Sequence, residues 1–165
     1  MSFETAKAQL EALGYGDRIR VLDQSSATVA LAAEALHCLP EEIAKSLSFL
    51  QGEEPVIIVV CGTARINNHK YKPRFHLKAK MIPGERAEEL TGHVPGGVTP
   101  FGVKPGVTIW LDESLRRFET VYPACGSCNT AIVMTVAELE KSCGAAGWVD
   151  VCKVPEPVAA PEKAA

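Results

Sequence analysis

The sequence predicts an α/β protein built on a sheet of mixed strand direction, and three observations carry that expectation. Apolar runs of strand length are interleaved irregularly with amphipathic runs of helical period. Two of the apolar runs, residues 47–50 and 56–61, flank the polar turn Gln51-Gly52-Glu53-Glu54-Pro55 and so read as an antiparallel hairpin. Other strand candidates are separated by helical segments, the arrangement that strand-helix-strand units require. A chain of 165 residues with 47% hydrophobic content is long enough for one domain with a proper core and too short for two ordinary ones. That domain is expected to span residues 1–153, with 154–165 as a disordered C-terminal tail too poor in hydrophobic residues to pack.

Taken in order, Phe3, Ala6, Leu10 and Leu13 fall at helical spacing after Ser2, and Gly14 and Gly16 stop the pattern. Residues 18–22 alternate as a short strand, and Ser25-Ser26 then precede Val29, Ala32, Ala33 and Leu36 on one helical face. Pro40, with Glu41 and Glu42 in the first turn, opens a short helix expected to end around Lys45. In the hairpin, Val56-Ile57-Ile58-Val59-Val60 is apolar on both faces and belongs at the centre of a sheet. A basic stretch broken by Pro73 follows, and residues 83–90 read as a helix. Residues 107–111 are strand-like, Asp112 can cap a short helix through Leu115, and residues 118–122 return to strand character. Residues 131–134 form the last core strand candidate, before a helix whose capping box is Thr135 with Glu138.

Between the helix at 83–90 and the strand at 107–111 lies a loop, residues 92–102, with four glycines (Gly92, Gly96, Gly97, Gly102) and two prolines (Pro95, Pro100). Glycine lets another molecule approach main-chain N–H groups, and proline fixes φ, so the loop needs little ordering on binding. Such a loop can offer amide donors to a developing oxyanion, which makes Gly96, Gly97 and Val98 candidates; the plainer reading is a tight helix-to-strand connection. His93 lies inside the loop and is retained as a binding candidate, although none of His37, His69, His76 and His93 accompanies a Ser or Cys nucleophile motif.

The net charge of −3 argues against a generic nucleic-acid binder, but charge is unevenly spread. No Asp or Glu occurs from Pro55 through Gly84, where Arg65, Lys70, Lys72, Arg74, Lys78 and Lys80 all fall. Either a phosphate backbone docks there or the face is merely solvated. No apolar window of membrane-spanning length and no signal pattern appears, so a cytoplasmic protein without membrane contact is expected. In that reducing setting the six cysteines are expected as free thiols. Cys125-Gly126-Ser127-Cys128 could chelate a metal or act in redox chemistry, yet Cys143 and Cys152 do not form a second pair of like spacing. Neither metal nor cofactor is expected.

The order and spacing of five segments resembles the bacterial YbaK family of aminoacyl-tRNA deacylases, related to the editing domain of prolyl-tRNA synthetases. These are residues 28–36 and 41–47, the loop 92–102, Leu111-Asp112-Glu113-Ser114-Leu115, and Gly126-Ser127-Cys128-Asn129-Thr130, within about residues 20 to 140. The resemblance implies a curled, barrel-like mixed sheet surrounded by helices. It implies a trans-editing hydrolase acting on mischarged Cys- or Ala-tRNA of the proline type, with the tRNA acceptor end as substrate and prolyl-tRNA synthetase as a candidate partner. Lys45 would then be a substrate-orienting cation, with the N–H groups of Gly96, Gly97 and Val98 at the oxyanion. Ser46, where family members commonly carry threonine, would contact substrate together with Thr28, His93, Ser127 and Asn129. Related deacylases rely on groups of the bound tRNA rather than on a side-chain base. The competing reading is a noncatalytic module that binds aminoacyl-tRNA or a synthetase. The sequence leaves the oligomeric state open.

Overall fold

The computed structural model describes residues 2–26 and 28–154; the expected tail thus lies, apart from Val154, outside the described residues. The chain runs α1 (Ser2–Ala12), β1 (Ile19–Val21), α2 (Val29–Leu36), β2 (Ile43–Gln51), β3 (Glu54–Cys61), β4 (Arg65–Ile66), α3 (Asn68–Phe75) and α4 (Gly84–Thr91). It continues through β5 (Thr108–Asp112), β6 (Thr120–Pro123), β7 (Thr130–Ile132), β8 (Met134–Thr135), α5 (Val136–Ser142), β9 (Gly147–Val149) and β10 (Cys152–Lys153). The main sheet has the order β8-β6-β2-β3-β5-β9. Its strands are mixed in direction, as the sequence predicts: β2 pairs antiparallel with β3 and parallel with β6, while β3–β5 and β5–β9 are parallel.

β3 sits centrally because both of its faces are apolar. Ile57 and Val59 enter one buried cluster with Leu111 and Ile132, whereas Ile58 and Val60 enter another with Phe49 and Tyr71. Each of these β3 side chains is fully buried, which is worth about 1.5–3 kcal/mol per residue before chain entropy is counted. A two-stranded β1–β7 ladder attaches to the end of β6 through an Ala124–Ala131 bridge, so the sheet curls into a half-barrel with helices around it.

Three expectations require correction. The short helix expected to reach Lys45 is only a 3₁₀ turn, Pro40–Glu42, and β2 begins at Ile43 with φ −70° and ψ 130°. Long-range pairing decides this: Ala44 and Lys45 face Cys61 and Val60 of β3, and the buried Ile43 joins Tyr122 of β6. The basic stretch contains a helix, α3, despite Pro73 inside it, because Asn67 caps its start and the buried Tyr71 stacks between Phe49 and Phe75 at 5.5 and 4.8 Å. The strand expected at 131–134 divides into β7 and β8, which pair with different strands. The capping box of α5 is as read, with Glu138 N–H donating to Thr135 Oγ1 and Thr135 N–H to Glu138 Oε1.

Candidate functional site

The first half of β2, one face of α2 and the glycine loop enclose a cavity of about 340 Å³. Thr28 fixes where α2 starts, its Oγ1 accepting from Leu31 N–H at 3.2 Å, and His37 in the left-handed conformation ends that helix. Ala32, Leu36, Ile43 and Ala131 form the apolar end of the cavity, a buried cluster in its own right. Lys45, Ser46, Gly96 and Val98 also line the cavity. The register of the β2–β3 hairpin places Lys45 there, since Lys45 is held opposite Val60.

Lys45 is half-buried, and burial pulls its pKa below the ordinary lysine value, with Arg65 acting in the same direction and Cys152 and Cys61 opposing. Among the described residues, no carboxylate and no histidine lines the cavity. Ser46 Oγ is buried and has no hydrogen-bond partner among the described residues. The N–H groups of Gly96 and Val98 likewise carry no main-chain hydrogen bond among the described residues.

Several expected site residues lie elsewhere or are already engaged. Gly97 N–H donates to Val94 carbonyl at 3.0 Å, closing a turn, so this amide is not a free donor. His93 is completely buried; its Nε2 donates to Phe101 carbonyl at 2.7 Å, and burial lowers its pKa. It braces the loop from inside and does not line the cavity. Ser127 and Asn129 also stay outside the lining and do turn chemistry. Ser127 Oγ donates to Asn129 Oδ1 at 3.0 Å and contacts Thr130 Oγ1 at 2.7 Å, while Asn129 Nδ2 donates to Leu22 carbonyl. Thr28 does line the cavity, with its hydroxyl oxygen serving the helix cap.

Ser26, Tyr122 and Thr130 line the cavity and were not indicated by sequence reasoning. For Tyr122 the missing signal is the parallel register with Ile43, which no local pattern encodes. Among the basic residues, Lys70 is engaged by Asp150 and by Cys152 carbonyl, each at 3.0 Å, and Arg74 stacks over Trp110 at 4.9 Å. Lys72, Lys78 and Lys80 are exposed and have no ion pair among the described residues. Residues 80–82 run along the outer edge of β2 beside the cavity, Leu50 N–H donating to Lys80 carbonyl at 2.8 Å. Among the described residues, no group of three His, Cys, Asp or Glu is placed to hold a metal, and no helix is long and apolar enough to cross a membrane.

The profile of the aminoacyl-tRNA editing domain matches residues 23–142 of the chain. The uncharacterized protein YwhH of Bacillus subtilis (strain 168) is 41% identical over 154 residues, 93% of this chain and 98% of that protein. The proline–tRNA ligase of Limosilactobacillus fermentum is 35% identical over 95 residues, 54% of this chain but only 17% of the ligase. Among solved structures, the one reported as "Crystal structure of a putative trans-editing enzyme for prolyl tRNA synthetase" superposes with a TM-score of 0.82 at 28% identity, covering 92% of this chain and 97% of that one. Its fold is the same curled, mixed α/β sheet with surrounding helices.

Proposed function

This chain belongs to the aminoacyl-tRNA editing domain family, and from that premise we propose that it hydrolyses the ester of a mischarged tRNA, releasing cysteine or alanine from tRNA of the proline type. One observation carries the reading: a single cavity is lined both by a half-buried ammonium with main-chain donors that have no main-chain partner among the described residues, and by an aliphatic wall. The apolar end, walled by Ala32, Leu36, Ile43 and Ala131, accepts a short side chain without offering it a charge. A second sieve of this kind is useful because a synthetase gains only about 1–3 kcal/mol from one methylene when it selects between small side chains.

Lys45 orients the terminal nucleotide by its ammonium, at a site where partial desolvation strengthens its electrostatic reach. The N–H groups of Gly96 and Val98, two residues of the cavity lining, donate to the ester carbonyl in this reading, and one such donor contributes about 3 kcal/mol to the transition state. With no carboxylate or histidine in the lining among the described residues, the attacking water takes its assistance from groups of the bound tRNA. The acceptor stem lies along Lys72, Lys78, Lys80 and Arg65, of which Lys80 sits beside the open edge of β2. The ligase relative supports a connection to prolyl-tRNA synthetase as a partner.

The direct trial is single-turnover deacylation of Ala- and Cys-tRNA beside correctly charged Pro-tRNA. Deacylation of either mischarged species above buffer, with Pro-tRNA spared, is the expected result, and Lys45→Ala lowers the rate by about 100-fold without shifting the melting temperature. A rate no higher than buffer on every small aminoacyl-tRNA refutes the reading.

A further inference from the structure

The outer edge of β2 is covered at both ends and bare in the middle. At one end Ile43 and Ala44 pair with Tyr122 and Pro123 of β6. At the other, Leu50 N–H donates to Lys80 carbonyl at 2.8 Å and Ser48 carbonyl accepts from Ile82 N–H at 3.0 Å, around the Phe49–Met81 bridge. In an extended strand the N–H and C=O of alternate residues point to the same edge. Ser46 therefore presents its main-chain groups on the edge that Ser48 and Leu50 use, while Lys45 and Leu47 turn theirs inward to β3, opposite Val60 and Ile58. Neither the N–H nor the C=O of Ser46 has a partner among the described residues, and its buried Oγ has none either. Three unmet polar groups thus converge on one residue, in the wall of the cavity and next to Lys45. Such groups cost free energy until a ligand or water meets them.

Resting on the deacylase reading above, we propose that Ser46 docks the aminoacyl group through its main chain, as a one-residue antiparallel β-bridge. An extended aminoacyl group carries its α-amino N–H and its ester C=O on one side, the spacing of a strand residue. Its amino group donates to Ser46 carbonyl, and its ester carbonyl oxygen accepts from Ser46 N–H. Water oxygen then bonds to the ester carbon while the C=O electron pair moves onto the oxygen held by Ser46 N–H. When that pair returns, the bond from carbon to the ribose oxygen breaks. The ribose oxygen leaves with a proton that came from the water, giving free amino acid and tRNA. The bridge also supplies recognition of the α-amino group in a cavity lined by no carboxylate among the described residues.

The test compares alanyl-tRNA with propionyl-tRNA, which keeps the ester and lacks the amino group, under single-turnover conditions, each rate divided by its rate without protein. The bridge requires the enhancement for propionyl-tRNA to be about tenfold lower or worse. On the protein side, Ser46→Pro deletes the N–H at an outer-edge position where no ladder bond is lost, whereas Ser46→Ala removes only the hydroxyl. Ser46→Pro is expected to be about 100-fold slower than Ser46→Ala. Equal enhancement of the two esters by the wild-type protein overturns the bridge whatever the variants do, and a folded Ser46→Pro as fast as Ser46→Ala overturns it too. Should Ser46→Pro fail to fold, the ester comparison alone decides. Turnover of alanyl-tRNA with indifference to the amino group removes only the bridge, while no turnover of any aminoacyl-tRNA removes the deacylase reading and the bridge together.

Discussion

Replacing Gly97 by alanine tests how the loop is held over the cavity. A Cβ built at Gly97 would stand 2.7 Å from the carbonyl carbon and oxygen of Gly126 and from Ser127 N, all of them backbone atoms that cannot rotate away. Ordinary van der Waals contact begins near 3.4 Å, so the two loops must part by about 0.7 Å. Gly97 is not among the glycines of positive φ, so backbone strain adds nothing and the effect is crowding alone. Gly96 and Val98, which carry the free amides, move with it, and a misplacement of about 1 Å at a reacting centre costs roughly 100-fold in rate. We expect Gly97→Ala to slow single-turnover deacylation by about 30- to 100-fold and to lose about 1–3 kcal/mol of stability by overpacking. Gly106→Ala is the control: Gly106 has φ +92° with open space around its Cβ, so the substitution strains the backbone by about 1–2 kcal/mol without touching the cavity. Melting curves and deacylation rates measured on both variants separate the two causes. Gly97→Ala with an unchanged rate, or Gly106→Ala with the larger loss of rate, would refute the argument.

Two further outcomes follow from titrating groups. Because burial and Arg65 depress its pKa, Lys45 should titrate below the ordinary lysine value, seen as a shifting resonance of reductively ¹³C-methylated protein that is absent from Lys45→Ala. Hydrogen bonding from Arg18 and from Thr135 N–H holds the Glu138 carboxyl at about 2, well below its ordinary 4.5. A depressed carboxyl adds stability above its unfolded value and loses it as the pH falls. The melting-temperature gap between the wild type and Glu138→Gln should therefore be full at pH 7 and shrink between pH 4.5 and 2, and a gap independent of pH would contradict the assignment.

What the sequence revealed and what it hid divide by the range of the interaction. The β2–β3 hairpin was legible because its turn, around Gly52 at φ +68°, and both apolar strands are contiguous. So were the capping box of Thr135 with Glu138 and the cap at Asp112, whose Oδ2 accepts from Ser114 N–H at 2.9 Å. The start of β2 was not, because Pro40, Glu41 and Glu42 are good helix-opening residues and only distant partners draw Ile43 into a strand. The same limit applies to β9 and β10, three and two residues long, which have too little period of their own to read. In the site, composition pointed to the glycine loop, but the commitment of Gly97 N–H to Val94 and of His93 to Phe101 depends on how the loop folds back on itself.

The bare edge at Ser46 has its own explanation in the sequence. A parallel ladder between β2 and β6 could run on past Ala44, but the chain turns away after Pro123, and Ala124 bridges Ala131 in the ladder with β1. On the far side the chain that covers β2 reaches no further than Ile82, just before Pro83 and the start of α4. The gap is thus bounded by two chain segments about 40 residues apart, β6 on one side and residues 80–82 on the other. Into that gap the close approach of Gly97 to Gly126 brings the loop carrying Gly96 and Val98, and the hairpin register brings Lys45. Ammonium, loop residues and open strand edge line one cavity where the ladder stops, so the interruption of the sheet, rather than any one side chain, leaves the room that the candidate site occupies.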